Sequence, residues 1–230
     1  MDSFFITLIE KKQLTHDVYE LIYTSETKTA PLPGQFLLCD TDSTNSRLRR
    51  AYSINYYEWG NFHFIIKAIP DGKGGSKAIC EQISGHTMQV WWPTGRFVLP
   101  DVWEKKMVFI GTGTGFAPLY FQAKSILEKN SRTSVMFIFW VREEKDLFYQ
   151  EVLREWSDIY PNFSYQFCLS QWKNDNYFTW RVTNYLGNNS ELIDKNTLYS
   201  VCGSPSMVTE VRAILTSHDI EKDSVFFEQY

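Results

Sequence analysis

Cysteine is scarce and scattered in this chain of 230 residues. Cys39, Cys80, Cys168 and Cys202 lie far apart, and no Cys-x-x-Cys pair exists. That spacing offers no home to a structural zinc or an iron–sulfur cluster, so no metal site is expected, and a disulfide framework would be odd at this length. Long apolar runs are missing as well, and nothing approaches the roughly 18–20 residues of a spanning helix. The start, Met1-Asp2-Ser3-Phe4-Phe5, lacks the basic region and apolar core of a secretory leader. The expectation is a cytoplasmic, reduced protein without a transmembrane segment. An excess of positive charge is also absent. Lys plus Arg number 23 against 27 Asp plus Glu, a formal charge of −4, which leaves no electrostatic footprint for nucleic acid. What the chain does have is apolar material: 43% hydrophobic and 17% aromatic residues, enough for a packed core. The length suits one large domain or two of about 100–150 residues.

The two halves carry different patterns. Up to about residue 100, short runs of β-formers are broken by turn residues. Phe4, Ile6 and Leu8 alternate, and runs follow at 18–23, 35–39, 51–56, 62–69 and 87–92, punctuated by Pro33-Gly34, Trp59-Gly60 and Ser84-Gly85. Six short strands so spaced predict a small antiparallel barrel. One stretch, 76–83, has helical spacing instead, with Ile79, Ile83 and Ala78 as its inward positions. From about residue 107 strand and helix alternate. Strands are expected at 107–110, 135–140, 163–169, 198–202 and 225–227, and helices at 118–128, 147–157, 179–186 and 205–216. Asp146 is placed to cap the second helix, and Ser204-Pro205 to start the last. This alternation predicts a doubly wound parallel sheet, with 99–106 as the linker, so the domains are expected at 1–100 and 101–230. Such a sheet binds a nucleotide at the carboxyl ends of its strands, and a barrel can present a second ligand to it.

Three segments carry the chemistry. Gly111-Thr112-Gly113-Thr114-Gly115-Phe116-Ala117-Pro118 follows a strand and opens a helix. Glycines let the backbone approach a phosphate, and the helix start offers unpaired N–H groups. Phe116 stands where a dinucleotide fingerprint has its third glycine, and no Lys-Ser/Thr ending of an NTPase loop follows. In Arg49-Arg50-Ala51-Tyr52-Ser53-Ile54, strand alternation puts Arg50 and Tyr52 on one face, a cation for a pyrophosphate beside a ring for a heterocycle. Gly74-Gly75-Ser76-Lys77 opens the lone helix of the first half, a second anion-binding geometry. Each has a plainer alternative: a bare glycine turn, an amphipathic strand with exposed arginines, and a simple N-cap by Ser76.

In order along the chain these motifs resemble the ferredoxin–NADP reductase family: Arg50-Ala51-Tyr52-Ser53, the 74–76 turn, 111–118, and Cys202-Gly203-Ser204-Pro205-Ser206-Met207. Pro33-Gly34-Gln35-Phe36 and 92–97 are similar to the family's barrel turns. The resemblance spans essentially the whole chain. It implies FAD on the barrel, with Arg50 on the pyrophosphate beside Gly74, Gly75 and Ser76, Tyr52 against the flavin and Ser53 at its N5 edge. It implies NADPH or NADH as co-substrate, held by Gly111, Thr112, Gly113, Thr114, Gly115 and Pro118 and by Gly203, Pro205 and Met207. Cys202 would stand where nicotinamide meets flavin. The ending Phe226-Phe227-Glu228-Gln229-Tyr230 is similar to the family's terminal Glu-x-aromatic, which implies Tyr230 as the ring covering the flavin and Glu228 as a polar partner of Ser53 and Cys202.

The chain departs from the family after the third strand of its second half, where Ser170-Gln171-Trp172 replaces the usual Ser-Arg of NADP-specific members. Tyr177 resembles an adenine-stacking tyrosine of the plant-type enzymes and Lys173 or Arg181 could supply charge to a 2′-phosphate, whereas Glu143 or Glu144 could accept from a ribose hydroxyl, so the nucleotide stays open. The implied activity is hydride transfer from NAD(P)H to FAD and delivery of electrons to a separate ferredoxin or flavodoxin, received by Arg47, Arg49, Lys67, Lys73 and Lys77. The alternatives are a flavin reductase, an electron-transfer subunit of an oxygenase or dihydroorotate dehydrogenase complex, and a nucleotide- or flavin-binding sensor without turnover.

Overall fold

The computed structural model of the chain describes residues 3–27, 30–41, 49–100, 106–129, 132–171 and 178–230. Arg47, Lys173 and Tyr177, named above, lie outside the described residues. The chain divides into two compact units, Met1–Val98 and Leu99–Tyr230.

The first unit is a closed antiparallel barrel. Its strands are β1 (Ser3–Gln13), β2 (Val18–Thr24), β3 (Phe36–Asp40), β4 (Arg49–Glu58), β5 (Asn61–Lys67) and β6 (Thr87–Thr94). They pair in the order β1-β2-β5-β4-β3-β6, and β1 closes the ring. Its first half pairs with β6 (Phe4 opposite Val90) and its second half with β2 (Lys11 opposite Leu21), with a register shift between Leu8 and Glu10. Closure removes the free edges that would otherwise template aggregation. Period-two alternation turns Ile6, Leu8, Leu21, Tyr23, Leu37, Cys39, Phe62, Phe64 and Val90 into a fully buried interior. The Tyr23 hydroxyl donates to Gln82 Oε1 at 2.5 Å inside it.

The helix of this unit, α1 (Gly75–Glu81), is shorter than the sequence pattern suggests. Ile79 and Cys80 are buried and Ala78 is half-buried, but Ile83 is 75% exposed, because Gln82 leaves helical geometry and turns the chain outward. The cap is Gly74, in the left-handed region at φ +89°, and not Ser76, whose hydroxyl accepts from the Ile69 N–H instead. Lys11 straps the end of α1 to β1, its Nζ donating to the carbonyls of Cys80 (3.2 Å) and Gln82 (3.0 Å).

The second unit holds β7 (Lys106–Thr112), α2 (Phe116–Glu128), β8 (Val135–Val141), α3 (Gln150–Ile159), β9 (Phe163–Leu169), β10 (Phe178–Thr179), α4 (Val182–Asn188), β11 (Thr197–Gly203), α5 (Pro205–Ser217) and β12 (Val225–Gln229). The sheet runs β10-β9-β8-β7-β11-β12, and every neighbouring pair is parallel. Both faces are covered. Val108, Ile110, Met136, Ile138, Tyr199 and Val201 face Val182 and Leu186 of α4 and Val208, Val211 and Leu215 of α5. Phe109 and Phe137 alternate with them and belong to an aromatic layer with Phe116 and Tyr120 of α2 and Trp156 of α3. Strand order reverses between β7 and β11, which sets a ligand crevice at their carboxyl ends.

The expected strands and helices of this half are present, with three corrections. Helix α2 begins at Phe116, two residues before Pro118, since a proline in the first turn lacks only an N–H that would be unpaired anyway. Asp146 does not cap α3, whose N-cap is Tyr149 at φ +59°. It closes a capping box with Glu143 around a short 3-10 turn, Glu144–Asp146. Thr179 lies in the edge strand β10, and the helix expected there starts only at Val182. Ser204 caps α5 as expected, accepting from the Met207 N–H at 3.4 Å with Pro205 in the first turn. Among the described residues no helix is long and apolar enough to cross a membrane.

Replacing Lys11 with Met removes two charge-assisted hydrogen bonds from the end of α1. The expected loss of folding stability is about 1–3 kcal/mol, checked by urea denaturation.

Candidate functional site

In the first unit two motifs 25 positions apart in sequence meet. A Cβ on Gly75 would sit 2.8 Å from Arg50 Cγ and 3.2 Å from Thr41 Oγ1. The Arg50 stem thus lies directly on the backbone of the 74–76 turn, and a side chain at Gly75 would force it to shift. The Arg50 Nη1 donates to the Arg49 carbonyl at 2.8 Å. Register fixes the rest of the strand. Arg50 and Tyr52 pair with Cys39 and Leu37 and share their face, whereas Ser53 pairs with Phe36 and points the other way. Burial, then the neighbouring thiols of Cys39 and Cys80, hold the Tyr52 phenol well above its ordinary value, and Arg50 offsets this in part. Its hydroxyl is buried without a partner among the described residues. An unpaired buried hydroxyl beside a cation and a glycine turn is a site short of a polar ligand, and a dinucleotide pyrophosphate with its sugar hydroxyls fits that shortage.

In the second unit the glycine loop packs on the end of β11. A Cβ on Gly115 would lie 2.3 Å from the Cys202 carbonyl oxygen and 2.8 Å from Gly203 Cα, and one on Gly203 would lie 2.3 Å from Thr112 Cγ2. Gly113 adopts φ +55° and Gly203 φ +148°, conformations that side chains rarely take. Strand pairing sets Cys202 beside Gly111 on one side and Glu228 on the other. The Tyr230 N–H donates to the Gly203 carbonyl at 3.3 Å, and the phenol hydrogen-bonds Thr114 and Cys202. Cys202, Glu228, Tyr230 and the loop therefore form one cluster, while Ser53 belongs to the other unit. Phe116, the apparent departure from a glycine fingerprint, anchors the loop. Its ring contacts Tyr120, Phe137, Phe139, Phe148 and Tyr149 at centroid distances of 4.9–5.6 Å.

Beside this cluster lies a groove of about 860 Å³ at the carboxyl ends of β8, β9 and β11. Trp140, Arg142, Gln171, Arg181, Met207 and Glu210 are among its walls. Met207 is buried and Pro205 is exposed at the helix start. Trp140, Trp180 and Glu210 escaped the sequence reading, although tryptophans at a strand end and just ahead of a helix were a visible signal. Glu143 and Glu144 are not among the described lining residues, and Glu143 is held by Lys145 at 2.9 Å. On the barrel, Lys67 pairs with Asp17 at 2.7 Å, Lys77 with Glu81 at 3.8 Å, and the Arg49 guanidinium covers Trp91 at 3.8 Å, so three of the basic residues named for an acidic partner already have partners within the chain.

Burial pushes the Cys202 thiol well above its ordinary value, the Glu228 charge adds to this, and the Tyr230 hydrogen bond opposes it. Cys202 is a neutral thiol, suited to packing and weak hydrogen bonding and not to nucleophilic attack.

Two family models tile the chain: the oxidoreductase FAD-binding domain over residues 5–99 and the oxidoreductase NAD-binding domain over residues 109–213. The chain is 26% identical over 204 residues to the reductase component of propane 2-monooxygenase from Rhodococcus jostii (strain RHA1), with 86% of this chain and 55% of that protein covered. It spans little more than half the length of the curated relatives it matches first. In fold it is similar to the Amycolatopsis cytochrome P450 reductase GcoB, at a TM-score of 0.90 and 22% identity over 99% of this chain and 69% of that one. It is also similar to a ferredoxin NADP+ reductase from Neisseria gonorrhoeae with bound FAD and NADP, at 0.85 and 20% over 100% and 99% of the two chains. An FAD-binding barrel followed by an NAD-binding sheet defines a flavin- and nicotinamide-dependent oxidoreductase. The chain carries an oxidoreductase FAD-binding domain followed by an oxidoreductase NAD-binding domain, and its fold is that of ferredoxin NADP+ reductases.

Two outcomes are expected here. Gly115→Ala forces apart the loop and β11, so stability falls by about 1–3 kcal/mol and nicotinamide-nucleotide affinity falls with it, read by thermal denaturation and calorimetry. The second concerns pH. Burial raises all four thiols, Cys80 and Cys168 to about 12, while an unfolded chain releases such protons near 9.0. Folding stability should therefore hold below that value and decline as pH rises past it, because only the unfolded state gives up protons there. A urea series at stepped pH checks the slope.

Proposed function

We propose that the chain is the reductase module that takes hydride from NAD(P)H and delivers electrons to a separate acceptor protein. The observation that carries this reading is the pair of backbone cradles, Gly75 under Arg50 and Gly115 under Cys202, one in each unit. When bound, FAD accepts two electrons as hydride and releases them singly.

The residues divide the work. Arg50 neutralises the FAD pyrophosphate, the amides of Gly74, Gly75 and Ser76 donate to it, and the Tyr52 hydroxyl finds its missing partner there. Ser53 contacts the N5 edge. Gly111, Thr112, Gly113, Thr114, Gly115 and Pro118 shape the nicotinamide nucleotide's pyrophosphate seat, with Gly203, Pro205 and Met207 beside it. Cys202 contacts the nicotinamide and Glu228 stands next to it as a polar relay. Tyr230 lends its ring face to the flavin and moves aside for nicotinamide. Its hydrogen bonds to Thr114 and Cys202 hold the ring until then. The domains are taken as 1–100 for FAD and 101–230 for NAD(P), in a cytoplasmic setting.

The leading acceptor is a small acidic ferredoxin or flavodoxin. A second reading, the reductase of an oxygenase system, is favoured by the likeness to the propane 2-monooxygenase component.

The decisive experiment is the visible spectrum of the purified protein before and after anaerobic NADPH or NADH. The expected result is a yellow protein that bleaches. A protein that stays colourless after incubation with FAD would refute the reductase reading. Tyr230→Ser should tighten nicotinamide binding and perturb the flavin spectrum; an unchanged spectrum and affinity would remove Tyr230 from the site.

A further inference from the structure

Helix α2 meets the sheet along one stripe. Gly115, Leu119 and Gln122 stand at the i, i+4 and i+7 spacing that a helix presents to a neighbour. Gly115 lies against the Cys202 carbonyl of β11. Leu119 fills the space beside Gly111 of β7, where its Cδ1 would lie 2.9 Å from an added Cβ. Gln122 ends the stripe with a hydrogen bond, the Ser200 hydroxyl of β11 donating to Gln122 Oε1 at 2.6 Å.

Gln122 is polar at a position of the stripe that faces the core, and both it and Ser200 are 0% exposed. Ser200 is flanked by Phe109 of β7 and Phe226 of β12, and Phe109 belongs to the aromatic layer under α2. Apolar side chains at the two positions would fill this space with no polar group to desolvate, so burial alone does not account for the pair. What the pair adds is direction. Apolar contact is non-directional and tolerates a small slide of one element over another. A hydrogen bond does not, because a shift of about 1 Å breaks it and leaves buried polar groups unmatched. Along β11, Ser200 precedes Cys202 by two residues, about 7 Å; along α2, Gln122 follows Gly115 by seven, about 10 Å. A helix held at two points so far apart can neither slide along the strand nor pivot on its first turn.

We propose that Gln122 and Ser200 are a positioning pair, whose hydrogen bond keeps α2 in register with β11 so that the amides of 113–116 present one fixed geometry to a nucleotide pyrophosphate. The proposal rests on the reading of that loop as the nicotinamide nucleotide's seat. Both residues are fully buried and act through Gly115 and the loop, not by contact with the nucleotide.

The test is calorimetric titration of the holoprotein with NAD+ and with NADP+, the tighter of the two serving as the probe. Ser200→Ala and Gln122→Met should each weaken its binding about tenfold. The double variant should bind about as weakly as either single one, because the same bond is removed in all three. Ser200→Thr keeps the hydroxyl and should bind within about twofold of the unaltered protein. Urea denaturation of each variant is run alongside, and affinity is read where all of them are folded. If Gln122→Met does not fold, the contrast between Ser200→Ala and Ser200→Thr decides alone.

A loss of stability with unchanged nucleotide affinity overturns the proposal, since it would leave the pair a structural contact only. Additive losses in the double variant overturn the pairing. A Ser200→Thr variant as weak as Ser200→Ala overturns the role of the hydroxyl. The underlying reading fails differently. If the unaltered holoprotein binds neither NAD+ nor NADP+, the loop is not a nucleotide seat and the proposal falls with it. If it binds and Ser200→Ala binds equally well, only the role of the pair falls.

Discussion

The second unit depends on one close approach, the backbone of Gly115 against the Cys202 carbonyl. A methyl group there would overlap the oxygen at 2.3 Å. Because the approach is backbone to backbone, no rotamer change relieves it, and the loop and the end of β11 have to be co-designed. Several features follow from it. The loop is drawn to the reversal point of the sheet, where β7 and β11 diverge. The amides of 113–116 gather at one helix start. The next strand, β12, is carried alongside β11 in register, so that Glu228 falls beside Cys202 and the terminal tyrosine beside Thr114. Phe116 supplies the opposing anchor. A third glycine in its place would leave the loop without its grip on the aromatic layer, which explains why a bulky ring replaces the more usual residue.

The barrel repeats the same device with different parts. Arg50 lies across Gly75, and a Cβ there would meet its stem at 2.8 Å. The contact joins a strand to a helix start 25 residues later, and it brings a positive charge to amides that are already electropositive. Such an arrangement attracts an anion, which the guanidinium and the amides can bind together. The buried Tyr52 hydroxyl, unpartnered among the described residues, has the same character. Its cost is carried by the closed barrel, whose fully buried interior tolerates a small local deficit.

Much of this was legible in the sequence because the signals were local. Alternation in β1–β6, the apolar runs of β7, β8 and β11, and the Ser204-Pro205 start each follow from a period or a cap. What escaped was set by tertiary contacts. Ile83 has the right spacing for an inward face, but the helix ends before it, since Lys11 binds the terminal carbonyls and fixes the exit. Asp146 looks like a helix cap, yet a nearer backbone amide, that of Glu143, claims its carboxylate first. The site motifs were visible as separate segments. That Arg50 touches Gly75, and that Glu210 neutralises Arg181 across two helices, is not encoded in any spacing.

The surface charges show why composition is a poor guide to partners. Lys67 and Lys77 count toward a basic face in the sequence, but each has a carboxylate within 4.0 Å, and Arg49 spends its charge on an indole ring. Exposed pairs of this kind are weak, so an acidic protein could displace them, but it would gain only the difference between two solvated pairs. In the nucleotide groove the balance is otherwise. Arg142 has no ion-pair partner among the described residues, whereas Arg181 has Glu210 at 3.8 Å. An unpaired guanidinium beside a groove is therefore a stronger lure for an anion than a surface lysine that already has a carboxylate.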